Sequence, residues 1–363
     1  MMTILFFLLC SGCFHLTSAA NRLRYFNLTN NISSAKKDNW YNARSECNNS
    51  RESLVTLYDE EDAKFFAKLV SDYKSLFWIG LHKSQKKNFT TWSNGDKLTL
   101  NDSNVNLTKG KQNCEAIEDR AWKHFNCSHR KHFMCQKGNK SILIESERNW
   151  CQALQYCRIH YTDLVSISDD QQNEELKKKS RKKSFWIGLL HDEWEWADES
   201  CSTYRKWGVS QPNHDFAATM DGNIHTANNI YHIICSKGSV RIKPIPHHST
   251  WEEALIYCKT YHTRLLCIED EDDQRAVEQW LDNYDFNNKE TLWIGLRQSS
   301  LFGFWIWSDR TVNWHNWKNK IIPELSSSQC GVINATDYTW SEENCWNKHS
   351  FLCEEDIVYM DKY

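Results

Sequence analysis

One five-residue phrase occurs three times in this chain, and its spacing limits what the chain can fold into. The tryptophans of the three copies lie 108 and then 107 positions apart. That period is too long for a solenoid repeat and close to the size of a whole domain. Each phrase is an apolar run around one glycine, which is typical of a buried strand that another backbone segment approaches closely. The copies are Phe77-Trp78-Ile79-Gly80-Leu81, Phe185-Trp186-Ile187-Gly188-Leu189 and Leu292-Trp293-Ile294-Gly295-Leu296.

The same landmarks surround each copy. Upstream, a tryptophan is followed by an alanine and then a cysteine, and downstream an aromatic or apolar pair precedes a closing cysteine. The three sets are Trp40, Ala43, Cys47 and Cys135; Trp150, Ala153, Cys157 and Cys235; and Trp251, Ala254, Cys258 and Cys353. This ordered set resembles the C-type lectin-like domain, and the resemblance covers nearly the whole chain after the first twenty residues. It implies an α+β fold of three tandem domains, each with two helices and short antiparallel sheets stapled by disulfides, as in mannose-receptor-type ectodomains.

The repeat divides the chain into five segments. We expect a signal peptide at 1–20, C-type lectin-like domains at 21–137, 141–237 and 239–356, and a tail at 357–363. The apolar stretch from Ile4 to Phe14 leads to small residues that suit a cleavage site, and it is too short to cross a bilayer. The sequence therefore predicts a secreted, extracellular protein without a membrane span.

Hydrophobic periodicity and helix start signals predict two helices in each domain, with a short strand between them. The first helices are expected at 40–47, 150–160 and 251–261, and the second at 59–70, 169–179 and 270–284. The strands are expected at 54–57, 164–167 and 265–268.

The cysteines are expected to form a disulfide framework, since four cysteines alone allow three pairings and the resemblance selects one of them. It implies outer bridges Cys47–Cys135, Cys157–Cys235 and Cys258–Cys353, and inner bridges Cys114–Cys127 and Cys330–Cys345. The second domain lacks the inner pair, and its remaining cysteines, Cys151 and Cys201, are paired by elimination. Cys267 is left over, either as a buried small hydrophobic residue or as the site of an intermolecular bridge.

Nine Asn-x-Ser/Thr sequences are candidate glycosylation sites in an exported chain, and glycan-bearing residues would face solvent. They are Asn27, Asn31, Asn48, Asn88, Asn101, Asn106, Asn126, Asn139 and Asn334.

The resemblance also implies where calcium and sugar would bind. Calcium-binding members of the family use a Glu-Pro-Asn or Gln-Pro-Asp triplet, a Glu before the inner cysteine, and an Asn-Asp after a tryptophan. The ion needs six to eight oxygens, several of them anionic. The first domain has no triplet, and the third offers only Ile322-Pro323-Glu324 and Trp340-Ser341-Glu342.

The second domain keeps part of this set. It has Gln211-Pro212-Asn213, with Asp215 close behind, but Ile224-His225-Thr226 stands where the Asn-Asp belongs. The expected ligands for calcium and for a glycan are therefore Gln211, Asn213 and Asp215, a set with a single carboxylate. Weak calcium binding in this domain alone is one expectation, and a triplet that only shapes its loop is the other.

A basic run precedes the second copy of the phrase. It contains six cations in seven positions, namely Lys177, Lys178, Lys179, Arg181, Lys182 and Lys183. Such a run is often a solvated helix end, because cations suit a helix C-terminus. It also predicts contact with a sulfated polyanion, by the charge pattern of heparin-binding patches.

Other function classes find little support. A net charge of −3 gives no argument for nucleic acid. The sequence has no Gly-rich phosphate loop, nucleophile elbow or His-Glu-x-x-His, so we expect no enzyme. The leading prediction is a secreted recognition protein that binds glycans through its second domain with weakened calcium dependence. The alternative is a calcium-independent scaffold for a protein ligand or a polyanion.

Overall fold

Six α-helices lie in the part of the chain that the computed structural model describes, which is residues 22–28, 36–85, 90–100, 110–180, 183–284, 290–299, 303–324 and 329–360. Each helix starts after a polar side chain that accepts a hydrogen bond from the helical backbone, as an N-cap does. The helices are α1 (Trp40–Asn49), α2 (Glu60–Leu69), α3 (Trp150–His160), α4 (Asp170–Lys179), α5 (Trp251–Tyr261) and α6 (Glu271–Asn283).

Short strands fill most of the remaining chain. In order they are β1 (Tyr25–Leu28), β2 (Lys37–Asp38), β3 (Ser53–Leu54), β4 (Phe77–Lys83), β5 (Thr90–Trp92), β6 (Asn113–Glu118), β7 (Ala121–Asn126), β8 (Lys131–Lys137), β9 (Lys140–Arg148), β10 (Asp163–Leu164), β11 (Phe185–His191), β12 (Trp194–Trp196), β13 (Phe216–Thr219), β14 (His225–Thr226), β15 (Tyr231–His232), β16 (Ile234–Lys237), β17 (Val240–Ser249), β18 (Arg264–Leu265), β19 (Thr291–Gln298), β20 (Trp305–Trp307), β21 (Gln329–Asn334), β22 (Trp340–Asn344) and β23 (His349–Asp356).

The first half of every repeat folds in the same way. In each, the tryptophan that opens the first helix donates an indole hydrogen bond to the isoleucine carbonyl of the five-residue phrase. These bonds run from Trp40 to Ile79 at 2.9 Å, from Trp150 to Ile187 at 2.9 Å, and from Trp251 to Ile294 at 2.8 Å. The glycine of the phrase is needed because a Cβ there would meet backbone, as at Gly295, where it would lie 3.0 Å from the Leu265 carbonyl oxygen.

The third repeat closes on itself. Its sheet has the order β17-β23-β19-β21-β22, with β18 on β23 and β20 on β19. The first strand therefore lies beside the last, and the strand with the phrase pairs with strands of its own second half. We call this unit the third lobe.

The first two repeats do not close on themselves but exchange their second halves. Strand β4 of the first repeat pairs with β12, β13 and β15 of the second, while β11 of the second pairs with β5, β6 and β8 of the first. We call the unit of β1–β4, α1, α2 and β12–β16 the outer lobe. The unit of β5–β11, α3 and α4 is the inner lobe, which is continuous in sequence and inserted into the outer one. The segments 21–137 and 141–237 are thus repeats in sequence without being separate compact units.

The disulfides follow the exchange and correct two expected pairings. Cys47 bonds to Cys235 in the outer lobe, and Cys135 bonds to Cys157 in the inner lobe. The pairings Cys47–Cys135 and Cys157–Cys235 are therefore wrong, because each closing cysteine lies under the first helix of the other repeat. The structure contains the other four bridges as expected, namely Cys114–Cys127, Cys151–Cys201, Cys258–Cys353 and Cys330–Cys345. Of these, Cys151–Cys201 joins the inner lobe to the outer lobe.

The link between the first two repeats explains the exchange. Strands β8 and β9 form a hairpin with Lys137 opposite Lys140, so only Gly138 and Asn139 make the turn. Gly138 has φ +56° there, a conformation that glycine adopts without strain. The turn places β9 beside β8. In the third lobe, the first strand of the repeat lies beside its last strand in the same way. The helix α3 follows β9 directly. This first helix of the second repeat therefore packs with the second half of the first repeat.

The link between the second and third repeats is equally short but leads the chain in a different direction. Gly238 has φ +96°, and a Cβ at this residue would lie 2.4 Å from the Leu23 carbonyl oxygen. Strand β16 pairs with β1, and the chain then continues into β17, which pairs with β23 of its own repeat. This link therefore passes the chain on to a separate lobe.

The outer and third lobes share a core and a buried ion network. The rings of Phe65 in α2 and Trp280 in α6 stack with centroids 4.1 Å apart. Beside them, Arg241 of β17 lies 3.1 Å from an oxygen of Asp62 and 2.6 Å from one of Glu355. All three of these charged residues are buried, so the two lobes are joined by desolvated ion pairs as well as by apolar contact.

Candidate functional site

The Gln211-Pro212-Asn213 triplet lies in the loop between β12 and β13 of the outer lobe. The Gln211–Pro212 bond is cis. The loop is held against the first repeat, because the Trp207 indole donates a 2.6 Å hydrogen bond to the Gly110 carbonyl. Gly110 is so close to the proline that a Cβ on it would lie 2.6 Å from Pro212 Cδ. A residue of the inner lobe therefore fixes the position of the triplet.

Thr226 brings the two amide side chains of the triplet together. Its Oγ1 lies 2.5 Å from Gln211 Oε1 and 2.7 Å from Asn213 Oδ1, and its single proton can serve one of them at a time. The Thr226 backbone N–H also donates to Gln211 Oε1 at 3.0 Å, and Thr226 Oγ1 accepts from the Asn213 N–H at 2.9 Å. The oxygens that would face an ion are thus turned to a threonine of the same lobe.

Asp215 does not join this cluster. Its side chain is exposed, and its backbone carbonyl accepts a 2.8 Å hydrogen bond from the Lys83 N–H of β4. Within the described residues, its carboxylate makes no hydrogen bond to the threonine or to either amide. Of the three residues expected from the sequence, Gln211 and Asn213 are therefore joined through Thr226, whereas Asp215 is not part of these hydrogen bonds.

This arrangement does not fit calcium. The ion takes six to eight oxygens, and its affinity rises with the number of carboxylates. The cluster offers two neutral amide oxygens, both bound to Thr226, and no carboxylate. Across the described ranges, no three His, Cys, Asp or Glu side chains are placed to share a metal ion. The sequence already placed Thr226 where the family has an acidic ligand, but not the contact of its hydroxyl with both amides.

The described residues of the third lobe offer no better ligand set at the equivalent loops. The Trp340 side chain is fully buried, and its indole donates to Gln274 Oε1 at 3.2 Å. Glu342 and Glu324 are both exposed, and the Glu324 carbonyl accepts a 3.4 Å hydrogen bond from Gln298. These residues shape the lobe and its surface without forming a carboxylate cluster.

The family is decided by a profile comparison. The profile of the Lectin C-type domain matches residues 36–137, 146–238 and 247–355, which together make up most of the chain. The chain belongs to the C-type lectin domain family. Each match runs across both halves of one repeat in sequence, so the family domain is present three times although the first two copies exchange halves in space.

Curated relatives with several lectin domains match most of this chain. C-type mannose receptor 2 of Homo sapiens is 22% identical over 396 residues, covering 88% of this chain and 26% of the relative. Lymphocyte antigen 75 of Homo sapiens is 21% identical, covering 90% of this chain and 23% of the relative. Secretory phospholipase A2 receptor of Bos taurus is 20% identical, covering 90% and 28%. The chain therefore spans about a quarter of the length of these relatives.

Solved structures match one lectin domain at a time. Human lithostathine is 20% identical with a TM-score of 0.30, covering 32% of this chain and 84% of that chain. A calcium-independent type II antifreeze protein is 21% identical with a TM-score of 0.29, covering 33% and 89%.

The basic run lies at the end of α4 in the inner lobe. Lys178 and Lys179 are exposed, whereas Lys177 lies 3.6 Å from Glu174 and Lys183 forms an ion pair with Glu145. Arg181 and Lys182 lie outside the described residues. Part of the charge of this lectin-family protein is thus balanced by carboxylates, and part faces solvent.

Cys267 is fully buried in the third lobe. Its thiol contacts the Leu265 carbonyl at 3.6 Å, and burial raises its pKa well above the usual range for cysteine. A thiol that is neutral and out of reach of solvent cannot bridge to another chain without unfolding. Of the two readings of Cys267, the structure therefore supports the buried hydrophobic residue.

The candidate glycosylation sites fall into two groups. Asn48, Asn126 and Asn139 are exposed, and Asn27 and Asn334 are partly exposed. Asn31, Asn88, Asn101 and Asn106 lie outside the described residues, as does the expected signal peptide.

None of the helices in the described part of the chain has the length and apolar character that a bilayer crossing needs.

Proposed function

We propose that this chain is a calcium-independent recognition protein whose lectin-like lobes bind a protein ligand or a polyanion. One observation carries the proposal, which is the contact of the Thr226 hydroxyl with both Gln211 Oε1 and Asn213 Oδ1. These amides have a hydrogen-bond partner without an ion, so nothing in the cluster demands calcium. Relatives named as receptors for mannose and for a secretory phospholipase agree with a recognition role for the fold.

The disulfides support an extracellular location. Six bridges in one chain need an oxidising environment, such as that outside the cell, because cytosolic thiols are kept reduced. This supports the expectation of a secreted, extracellular protein, for which the apolar stretch at 4–14 would be the export signal.

A calcium titration of the full chain tests the proposal. We expect no heat of binding in calorimetry and the same melting temperature in calcium as in chelator, because the described residues place no carboxylate cluster at the triplet. The competing function is glycan binding through Gln211, Asn213 and Asp215 with weak calcium dependence. It would give a calcium-dependent rise in melting temperature that disappears in Asn213→Ala, and retention on immobilised mannose or galactose that chelator abolishes.

A polyanion is favoured as the ligand by the end of α4. Lys178 and Lys179 are exposed there. The Arg120 backbone N–H donates to Ser180 Oγ at 2.9 Å, so another exposed cationic residue lies next to the end of α4. Binding of a polyanion by several cations releases condensed counterions, so its affinity falls steeply with salt. The wild type should therefore be retained on heparin at low salt and elute as salt rises.

A matched pair of variants locates the heparin contact. Replacing Lys178, Lys179, Lys182 and Lys183 by Gln should abolish retention at moderate salt and leave unfolding free energy within about 1 kcal/mol of wild type. The control replaces four exposed lysines of the third lobe, namely Lys259, Lys318, Lys320 and Lys348. It removes the same net charge and should elute near wild type. Equal losses in both variants, or wild type that flows straight through, would rule out a specific site.

A further inference from the structure

One disulfide joins the two lobes that the exchange creates. Of the six bridges among the described residues, five close within a single lobe, whereas Cys151–Cys201 connects α3 of the inner lobe to the loop after β12 of the outer lobe. The backbone crosses between these lobes in two segments that lie side by side, since the Ser84 N–H donates a 2.8 Å hydrogen bond to the Glu193 carbonyl. Two adjacent segments make a hinge, and the bridge holds the hinged lobe closed.

The segment that follows the third lobe covers this bridge. We call residues 357–360 the strap. The Cys201 N–H donates to the Val358 carbonyl at 2.6 Å, and the Met360 N–H donates to the Glu199 carbonyl at 2.8 Å. The side chains of Val358 and Met360 pack against the apolar cluster that contains both cysteines. The strap therefore shields the disulfide from solvent.

Side chains of α3 hold the strap in place. Arg158 donates hydrogen bonds to the Tyr359 carbonyl and, at 2.8 Å, to the Met360 carbonyl. Gln155 donates to the Asp356 carbonyl at 3.2 Å, just before the strap begins. The four strap residues are only half-buried. Short segments with little buried surface open at a lower free energy than the core, so the strap can lift while the lobes stay folded.

The bridge beneath the strap is less deeply buried than the two bridges that record the exchange. Cys151 and Cys201 are each 6% exposed, whereas the four cysteines of those two bridges are at most 1% exposed. A cavity of about 60 Å³ is lined by both cysteines and by Val358, and another of about 270 Å³ is lined by Cys201 and Met360. Because the strap forms part of both linings, lifting it opens a path to Cys201.

The position of Cys151 favours its release by a thiol. It is the second residue of α3, whereas Cys47, Cys157 and Cys258 lie near the ends of their helices. The start of a helix stabilises negative charge, including that of a thiolate. The sulfur of Cys151 is therefore the better leaving group of its bridge.

Reduction of the bridge needs a dithiol and proceeds in two exchanges. A thiolate of the reductant attacks Cys201 Sγ, which forms a mixed disulfide and expels Cys151 as a thiolate. The second thiolate of the reductant then displaces the Cys201 sulfur, so the reductant leaves as a disulfide. The two cysteines take up the protons that the reductant released. Two electrons thus pass from the reductant to the bridge.

Opening the bridge would weaken the support of the triplet. The Trp207 indole of the outer lobe donates a 2.6 Å hydrogen bond to the Gly110 carbonyl of the inner lobe. This contact spans the same two lobes that the bridge joins. Its persistence therefore depends on how firmly the inner lobe is held against the outer lobe.

We propose that Cys151–Cys201 is a redox latch of the inner lobe, shielded by the strap and opened by a dithiol reductant. The oxidised latch fixes the inner lobe to the outer lobe. After reduction, the inner lobe is held by its hinge and by noncovalent contacts, while the five bridges within lobes keep each lobe folded. The latch involves neither calcium nor a polyanion, so it does not rest on the function proposed above.

Timed reduction of the native full chain tests the latch. The protein would be treated with dithiothreitol, alkylated at intervals and digested, so that mass spectrometry follows each bridge. We expect Cys151–Cys201 to open about ten times faster than Cys47–Cys235 and Cys135–Cys157, because lifting the strap needs less free energy than unfolding a lobe. If Cys151–Cys201 stays closed until those two bridges also open, it is reduced only through unfolding, and the proposal is overturned.

A strap variant tests the shield. Val358→Ser combined with Met360→Ser removes the apolar contact with the bridge and leaves every cysteine in place. It should speed the opening of the latch about ten-fold, because less apolar surface is exposed when the strap lifts. Ile321→Ser combined with Ile322→Ser, at exposed positions of the third lobe, is the matched control and should react at the wild-type rate. Equal rates in the wild type and the strap variant would contradict the shield.

A variant without the bridge reports the effect on the lobes. In Cys151→Ala combined with Cys201→Ala, amides of residues 205–213 should exchange with deuterium about five-fold faster, the effect of weakening one hydrogen bond between the lobes. Cys330→Ala combined with Cys345→Ala removes a bridge within the third lobe and should leave this exchange unchanged. If both variants melt earlier but neither changes the exchange at 205–213, Cys151–Cys201 is a structural cross-link and not a latch.

Discussion

Cys47 is bonded to Cys235, a residue 188 positions further along the chain. The bridge connects the first helix of the first repeat to the closing strand of the second, and the whole inner lobe lies between its ends. A bond of this span forms only where the two half-repeats fold against each other. It therefore links the sequence repeat to the position of the triplet, which depends on the exchange.

The two glycine linkers should respond very differently to a methyl group. Gly138→Ala meets no atom within 4 Å and keeps a left-handed turn at φ +56°, so it should cost about 1 kcal/mol of unfolding free energy. Gly238→Ala would place its Cβ 2.4 Å from the Leu23 carbonyl oxygen. The backbone must then move, which should cost at least about 3 kcal/mol. Urea unfolding of both variants measures the difference.

Equal costs at the two linkers would contradict this account of how they differ. A larger cost at Gly138 would mean that its turn is packed more tightly than the open space around it indicates. The yield of correctly bridged protein is a second readout, because a distorted turn at Gly138 would favour closure of the first repeat on itself.

The buried ion network should make stability depend on acid pH. Burial opposes ionisation of Glu355, but Arg241, His262 and Lys243 outweigh it and lower its pKa from 4.5 to about 2. A carboxyl group with a lowered folded-state pKa contributes stability that is full above its unfolded pKa and is lost as pH falls through the folded value. Unfolding free energy should therefore decline between about pH 5 and pH 2.

Replacing Arg241 of this network should give an effect on unfolding free energy that becomes smaller, not larger, as pH falls. Arg241→Met leaves the carboxylate of Glu355 buried without its nearest guanidinium, 2.6 Å away in the wild type, which should cost about 3 kcal/mol at pH 7. The cost should shrink at lower pH, because the Glu355 carboxyl group then accepts a proton. Arg275→Met is the matched control, since Arg275 is 60% exposed in its pair with Asp272, and it should cost no more than about 1 kcal/mol. A deficit in Arg241→Met that stayed constant with pH would count against the network.

Thr226→Asp should create weak calcium binding. The new carboxylate would lie beside Gln211 Oε1 and Asn213 Oδ1 and could still accept from the Asn213 and His214 backbone N–H groups, as the hydroxyl does at 2.9 and 3.0 Å. We expect a rise in melting temperature with millimolar calcium, the range of weak extracellular sites. Thr226→Val, similar in shape but without the hydroxyl, should show no calcium effect. If Thr226→Asp is equally indifferent, the threonine is not what keeps the ion out.

The helices could be predicted closely from the sequence because their signals are local. Trp150–His160 and Trp251–Tyr261 have the expected bounds, and α2 begins one residue after the expected Asp59, which is its N-cap. The strands after the first helices are shorter than expected, for example Ser53–Leu54 instead of 54–57. Only the first residue of each expected segment lies in a strand. The rest continues as a largely buried stretch outside any ladder, and burial alone does not distinguish such a stretch from a strand.

The partners of the half-repeats could not be predicted in the same way. Cys47 and Cys157 lie in first helices with nearly the same sequence motif. The motifs therefore do not indicate which of the two bonds to Cys135. The choice is made by the turn at Gly138 and Asn139, whose course depends on backbone geometry. For the same reason the packing of the triplet loop on the inner lobe could not be predicted, since Trp207 and Gly110 come together only after the exchange.

Disulfide mapping tests the exchange most directly. The full chain would be alkylated without reduction, digested, and the linked peptides identified by mass spectrometry before and after reduction. We expect a peptide with Cys47 linked to one with Cys235, and a peptide with Cys135 linked to one with Cys157, as in the structure. Linked peptides that pair Cys47 with Cys135 and Cys157 with Cys235 would show that each repeat closes on itself, and would contradict the exchange.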